Sequence, residues 1–195
     1  MTVFQFLTTC DALKRVPRTG WLMRGIPPSM AEDVASHSHS TTILTLLLAM
    51  QVASNQDLGR LLTMALIHDL PEAIIGDIPR SAQTAHPALR EAKDAAEDAA
   101  MQQILAYLPG IHRKALTEIW EEYHEGTSLG AQLVEAADQL ATIIHAAQLV
   151  NSGFSAELFS PFLDNAEKKL NQLQLPLVDE LVEELRRILP QTPKE

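Results

Sequence analysis

Cysteine is almost missing from this sequence. Among 195 residues there is one, Cys10, which excludes an intramolecular disulfide and a cysteine-rich zinc site. Basic residues are also short, 15 against 25 acidic ones, which leaves a formal net charge of −10. That balance disfavours general binding to nucleic-acid polymers or anionic membranes, though it leaves room for a local basic pocket. Aromatic residues make up only 5%, so composition gives no support for a large aromatic interface. Long hydrophobic runs are absent too. The most apolar stretch, residues 43–52, is broken by Thr45 and Gln51 and is far short of a membrane span. The opening residues do not read as a secretory signal, because Asp11 and Lys14 follow a short mixed stretch containing Gln5. No alternating strand pattern exceeds four residues, and there is no internal repeat. The expectation is a soluble, cytoplasmic protein.

What is present points to helix. Hydrophobic residues reach 46% and charged residues 21%, a globular balance. With 8 glycines and abundant alanine and leucine, helix propensity is high nearly throughout. A domain of this size buries about 70% of its unfolded surface and needs no staples. Helices are expected over 2–13, then from a Ser29 cap near residue 30 to about 53, and next from Ser54 or Asn55 until Pro71 interrupts. Residues 14–30 hold Pro17, Gly20, Gly25, Pro27 and Pro28 and read as a loop with its own turns. The second half of the 30–53 helix is apolar nearly all round, which predicts a central position. Pro87 opens another helix with an alanine stripe, Ala92, Ala96, Ala100, then Ile104 and Leu108, ending at Pro109-Gly110. Further helices are expected over 115–123, from Thr127 or Ser128 to about 150, through 163–173, and over 177–189. The tail 190–195 is expected to fray. All linkers are short, so the reading is one all-α domain over 1–195, with its core about 18–150 and C-terminal helices 158–189 packed on it.

Three places stand out chemically. His68-Asp69 closes the apolar segment 61–70, where an uncompensated polar pair costs several kcal/mol. Asp138 lies between Val134 and Ala141 at i−4 and i+3, hence on the apolar face of its helix. An aspartate there is paired, bound to metal, or at a wet helix edge. His145, seven residues on, shares that face and reads as an ordinary half-buried histidine. In Glu32-Asp-Val-Ala-Ser-His37-Ser-His39 the two histidines point to different faces, so at most one joins a site. Two imidazoles and two carboxylates form a mixed nitrogen–oxygen set. That set suits Mn, Fe, Co, Ni or Zn better than Ca.

The order His37, His68-Asp69, Asp138 resembles the H…HD…D pattern of the HD-domain metal-dependent phosphohydrolases. Arg18-Thr-Gly-Trp21-Leu-Met-Arg24-Gly, His68-Asp-Leu-Pro-Glu72, Gly76-Asp77-Ile-Pro79 and Trp120-Glu-Glu-Tyr123 are similar, in the same order, to the 5′-deoxynucleotidase branch of that family. The likeness spans residues 18–147. It departs at Ser36, where relatives carry an acidic residue, and in the extra His39. A helical HD bundle is implied, with one divalent transition metal (Co, Mn, Ni, Fe or Zn, with Mg possible) on His37, His68, Asp69 and Asp138. Such an ion makes hydroxide available near neutral pH, and a small-molecule nucleoside monophosphate is the implied substrate. Glu72 is implied in proton transfer or water orientation, and Asp77 near the leaving group. Arg18 suits a phosphate clamp because guanidinium makes paired bonds to phosphate oxygens. Arg24 is the alternative clamp or a brace of the loop. Trp21 is implied near the sugar, where it would exclude a 2′-hydroxyl, or else anchors the loop on the core. Glu121 and Glu122 receive no chemistry. Relatives of this kind form homodimers. Within enzymes the rival activities are nucleotide pyrophosphohydrolysis or phosphodiesterase action. Outside them the rival is a non-catalytic helical interaction domain.

Overall fold

The computed structural model describes residues 2–52 and 57–191. Among them every regular element is helical. The only strand-like feature is an isolated antiparallel bridge between Pro17 and Asp33. Among the described residues no helix is long and apolar enough to cross a membrane. The described residues fall into two compact units. One comprises 1–39 and 66–125, the other 40–65 and 126–195.

In the first unit, α1 (Val3–Ala12) is capped by Thr2. Its side chain accepts from Gln5 N–H while the Gln5 side chain accepts from Thr2 N–H, so two orphan donors are satisfied reciprocally. A short α2 (Thr19–Leu22) follows. Next, α3 (Val34–Ala49) starts four residues later than the sequence suggests, and its cap is Asp33, not Ser29. Ser36 N–H donates to Asp33 Oδ1 at 2.7 Å. The delay has a tertiary cause. Arg18 N–H bonds Glu32 O at 3.0 Å and Val34 N–H bonds Val16 O at 2.9 Å, which holds 32–33 extended. Later come the end of α4 (Leu58–Ile67), then α5 (Glu72–Ile75), α6 (Arg80–Ala85), α7 (Pro87–Leu105) and α8 (Gly110–Glu125). The expected caps Ser54 and Asn55 lie outside the described residues. Asp57 caps α4, its Oδ1 accepting from Arg60 N–H at 3.1 Å.

The alanine stripe of α7 is only half right. Ala92 is exposed, and the buried face is Glu97, Ala100, Met101, Ile104 and Leu105. A four-residue repeat drifts about 40° per step on a 3.6-residue turn, so the stripe rotates out of the core. Pro109-Gly110 opens α8 at once, making that helix longer than expected. Arg113 from its first turn covers the carbonyls of Ala106 and Leu108 at 3.3 and 3.2 Å.

The second unit is built on α9 (Leu129–Asn151), capped by Ser128 Oγ on Ala131 N–H at 3.0 Å. Its buried residues include Leu133, Val134, Ala137, Leu140, Ala141 and Ile143. Against it pack α10 (Ser160–Asn171) and α11 (Pro176–Ile188). Arg186 of α11 ties the two together through Asp164 and Glu167 of α10, at 2.6 and 2.5 Å. The later part of α3 is not central all round. Leu44, Thr41, Thr45 and Leu48 are buried, but Ile43 is 46% exposed and Leu47 43%, and Met50, just past the helix end, is 73% exposed.

Candidate metal centre

The candidate site grows from three turns of the first unit. His37 sits in the first turn of α3 and is fully buried. At the end of α4 the chain turns through His68 and Asp69. Pro71 then ends that turn, and α5 starts at Glu72, whose N–H bonds Asp69 O at 3.1 Å. Gly76 closes α5 with φ 75°, a left-handed conformation that favours glycine. It sends the chain to Asp77. Thr19 binds that aspartate twice: its N–H donates to Asp77 Oδ2 at 2.5 Å and its hydroxyl to Asp77 O at 2.9 Å. The loop bearing Arg18 is thereby fixed over the His68–Asp69 turn.

His68 Nε2 lies 3.2 Å from Asp69 Oδ2, and His37 Nε2 lies 3.8 Å from the same oxygen. One ligand atom from each of His37, His68 and Asp69 falls within 4.8 Å of the others. Two imidazole nitrogens and one carboxylate oxygen, gathered this closely and away from bulk water, fit a divalent transition metal. Arg18 Nη1 donates to Asp69 Oδ2 at 2.9 Å and stands 3.6 Å from Asp77 Oδ1 and 4.0 Å from Glu72 Oε2. Burial pushes the Asp69 carboxyl up, but His68, Arg18 and His37 outweigh it and hold the group well below the usual carboxylate range. Glu72 goes the other way. Burial, Asp69 and Asp77 push it up to about 10 against the pull of Arg18 and Lys93. Its Oε2 is buried and accepts no hydrogen bond among the described residues. The cluster therefore pairs a firmly ionised carboxylate with one that retains its proton, a division suited to acid–base work.

Of the residues singled out in the sequence, Arg18, His37, His68, Asp69, Glu72 and Asp77 come together here. Trp21 is buried at 3% exposure, and its indole N–H donates to Glu32 Oε1 at 3.2 Å. Arg24 braces its own turn, Nη1 donating to Gly20 O at 3.0 Å. Asp138 belongs to the second unit, half-buried on α9 among Val134, Ala137 and Ala141. Ser36 and His39 are exposed, while His145 is half-buried on α9.

Four residues around the site received no role in the sequence reading. Glu32 Oε1 stands 3.6 Å from His37 Nδ1. It precedes the helix cap, so helical spacing carries no sign of it. Tyr123 of α8 sets its ring edge-on to His68 at 5.9 Å and 77°, in a helix tied to α7 by Trp120 Nε1 donating to Asp98 Oδ1 at 3.0 Å. Lys93 and Glu97 form an ion pair on α7, and Glu97 is 5% exposed. Their i, i+4 spacing was the available signal, and the inward direction of the pair was not.

Comparison with known proteins shows the family and the fold. The HD domain family profile matches residues 10–175. The human protein named 5′-deoxynucleotidase HDDC2 is 34% identical over 184 residues, covering 94% of this chain and 84% of that protein. The fission yeast protein named 5′-deoxynucleotidase hdd1 is 31% identical over 148 residues, 73% of this chain and 70% of that one. Among solved structures, a conserved hypothetical protein from Pyrococcus furiosus matches with a TM-score of 0.75 and 36% identity, over 94% of this chain and 99% of its own. A protein from Magnetospirillum magnetotacticum, titled a predicted metal-dependent phosphohydrolase, shares the fold with a TM-score of 0.67 at 23% identity, over 97% of this chain and 96% of its own.

Proposed function

This chain belongs to the HD domain family, and from that membership we propose that it is a metal-dependent 5′-deoxynucleotidase, releasing phosphate from deoxyribonucleoside 5′-monophosphates. The observation that carries the reading is the gathering of His37, His68 and Asp69 beside Arg18 and the buried Glu72. The substrate class rests on the names of the relatives. His37, His68 and Asp69 would hold one divalent ion of the Mn, Fe, Co, Ni or Zn type, with Asp138 as the fourth ligand by the ordered H…HD…D pattern. When bound, such an ion supplies Lewis-acid stabilisation of phosphoryl charge and lowers the pKa of water.

The chain's own residues do the rest. Arg18 brings a guanidinium to the phosphate, where planar charge-assisted bonds match the oxygen geometry. Asp77 positions that arginine by gripping Thr19 next to it. Glu72 holds a proton on its buried carboxyl and passes it to the 5′-oxygen as the phosphorus–oxygen bond breaks. The 1–195 chain acts as one functional domain in this reading, since the family match runs through segments of both units.

The test is phosphate release from a panel of deoxy- and ribonucleotides, with single metals returned to stripped protein. Faster release from the deoxynucleotides is expected. No release with any metal, or equal rates for both sugars, overturns the substrate assignment. Asp138→Ala tests the fourth ligand, with loss of metal uptake expected and full uptake contradicting it. We extend the reading to a homodimer, which the resemblance carries and which the exposed Ile43 and Leu47 of α3, with Met50 just past its end, support. Light scattering that gives a monomer mass contradicts it. A cytoplasmic location suits a chain with a single cysteine acting on free nucleotides.

A further inference from the structure

We propose that Trp21, Glu32 and His37 form a positioning chain, in which the Glu32 carboxylate stands beside Nδ1 of His37 and so keeps Nε2 turned toward Asp69 and His68. The inference rests on the metal-site reading above and assigns tasks to two residues that reading leaves unused.

Four observations lead to it. The imidazole of His37 is fully enclosed, with its two nitrogens facing different partners. Nδ1 is 3.6 Å from Glu32 Oε1, an electrostatic contact longer than a hydrogen bond, and Nε2 is 3.8 Å from Asp69 Oδ2. The Glu32 side chain is 8% exposed, so its charge is directed inward rather than lost to water. The oxygen that faces His37 also accepts the indole N–H of Trp21 at 3.2 Å. Finally, the backbone around Glu32 is clamped on both sides. Arg18 N–H donates to Glu32 O at 3.0 Å and Val34 N–H donates to Val16 O at 2.9 Å.

The chemistry follows from the imidazole. A neutral histidine carries one proton on two nitrogens, and only the bare nitrogen can ligate a metal. With Nε2 given to a metal beside Asp69 and His68, the ring proton sits on Nδ1, and the Glu32 carboxylate faces it there. The indole is a donor without an acceptor. It therefore fixes the Glu32 carboxylate without competing for the imidazole proton. This gives the buried Trp21 ring an anchoring task rather than a place against the sugar. Ser36 is exposed and its N–H belongs to the Asp33 cap, while Glu32 supplies the carboxylate from the extended segment before the helix.

The experiment titrates stripped full-length protein with Co²⁺, whose visible spectrum reports its ligands. Glu32→Ala is expected to weaken Co²⁺ binding about 10–100-fold and to change the spectrum. Glu32→Gln keeps the shape and an acceptor for the indole but loses the charge, and an intermediate loss is expected. Trp21→Phe is expected to weaken binding less than either, with the deoxy-to-ribo ratio of kcat/KM at the parent value. Should Glu32→Ala fail to fold, Glu32→Gln decides. Parent-like Co²⁺ affinity and spectrum in Glu32→Gln overturn the chain. So does a Glu32→Ala protein whose metal-free melting temperature falls while its Co²⁺ affinity stays at the parent value. A Trp21→Phe ratio that moves toward ribonucleotides overturns the role of the indole. Parent protein that binds Co²⁺ in this way yet releases no phosphate overturns the proposed function and leaves the positioning chain standing.

Discussion

Two arginines in this chain each face clustered carboxylates, and they do different things. Arg186, in the second unit, meets Asp164 and Glu167 at 2.6 and 2.5 Å and also donates to Leu189 O at 3.3 Å. Burial lowers its pKa, but Glu167 and Asp164 more than offset that and leave it raised. Every charge there has a short partner, and the result is a staple between α10 and α11. Arg18, in the first unit, makes a short contact to Asp69 at 2.9 Å and stands off Asp77 and Glu72 at 3.6 and 4.0 Å. Two buried histidines lie beside it, and one of the carboxyls keeps its proton. Saturated charges hold helices together. A gathered set whose charges stand slightly apart is built to receive something else.

The largest effect expected from breaking this contrast is at Asp69. Asp69→Ala removes a ligand and should abolish metal uptake and turnover together while helix content by circular dichroism stays near parental. Full metal occupancy in an active variant would refute the ligand assignment. Glu72→Gln should bind metal and nucleotide nearly normally yet turn over about 10²–10⁴-fold more slowly. Turnover within a few-fold of the parent makes Glu72 a structural residue. Arg18→Lys keeps the charge and loses the planar fork, so kcat/KM should fall by about 10–100-fold, the worth of a charge-assisted bond.

Arg186→Leu sharpens the contrast from the other side. It should cost about 1–3 kcal/mol of stability, read by denaturant melts, with kcat unchanged in folded protein. If kcat drops instead, the two arginines are not separable in the way argued. The smallest effect belongs to Arg187, whose pair with Glu183 leaves both side chains mostly in water, at 69% and 73% exposure. Arg187→Ala should shift stability by about 0.5 kcal/mol or less.

The helices were legible wherever a local signal stood alone. Ser128 as a cap and Pro87 at a helix start act through their nearest neighbours. The start of α3 was not legible, because the pairing of 16–18 with 32–34 overrides the preference of residues 30–33 for helix. The solvent face of α3 was misjudged for a related reason. Apolar side chains say that a surface can be buried, not that anything covers it.

The site divides the same way. His68-Asp69 and His37 were visible as polar residues set in apolar helices. Arg18 meets Asp69 across 51 residues of chain, and no spacing rule reaches that far. The motif order supplied that link. Glu32 and Tyr123 needed the fold itself, since their roles depend on which ring edge or nitrogen they face.

The central claim is that one gathered His–His–Asp set holds the metal on which hydrolysis depends. The most direct measurement is phosphate release from 2′-deoxyadenosine 5′-monophosphate by stripped protein titrated with Co²⁺ or Mn²⁺, with bound metal counted at each point. The account predicts that release is absent in stripped protein, rises with added metal and levels off at one ion per chain. Release that is undiminished in stripped protein, or that is unaffected by Asp69→Ala, would contradict it.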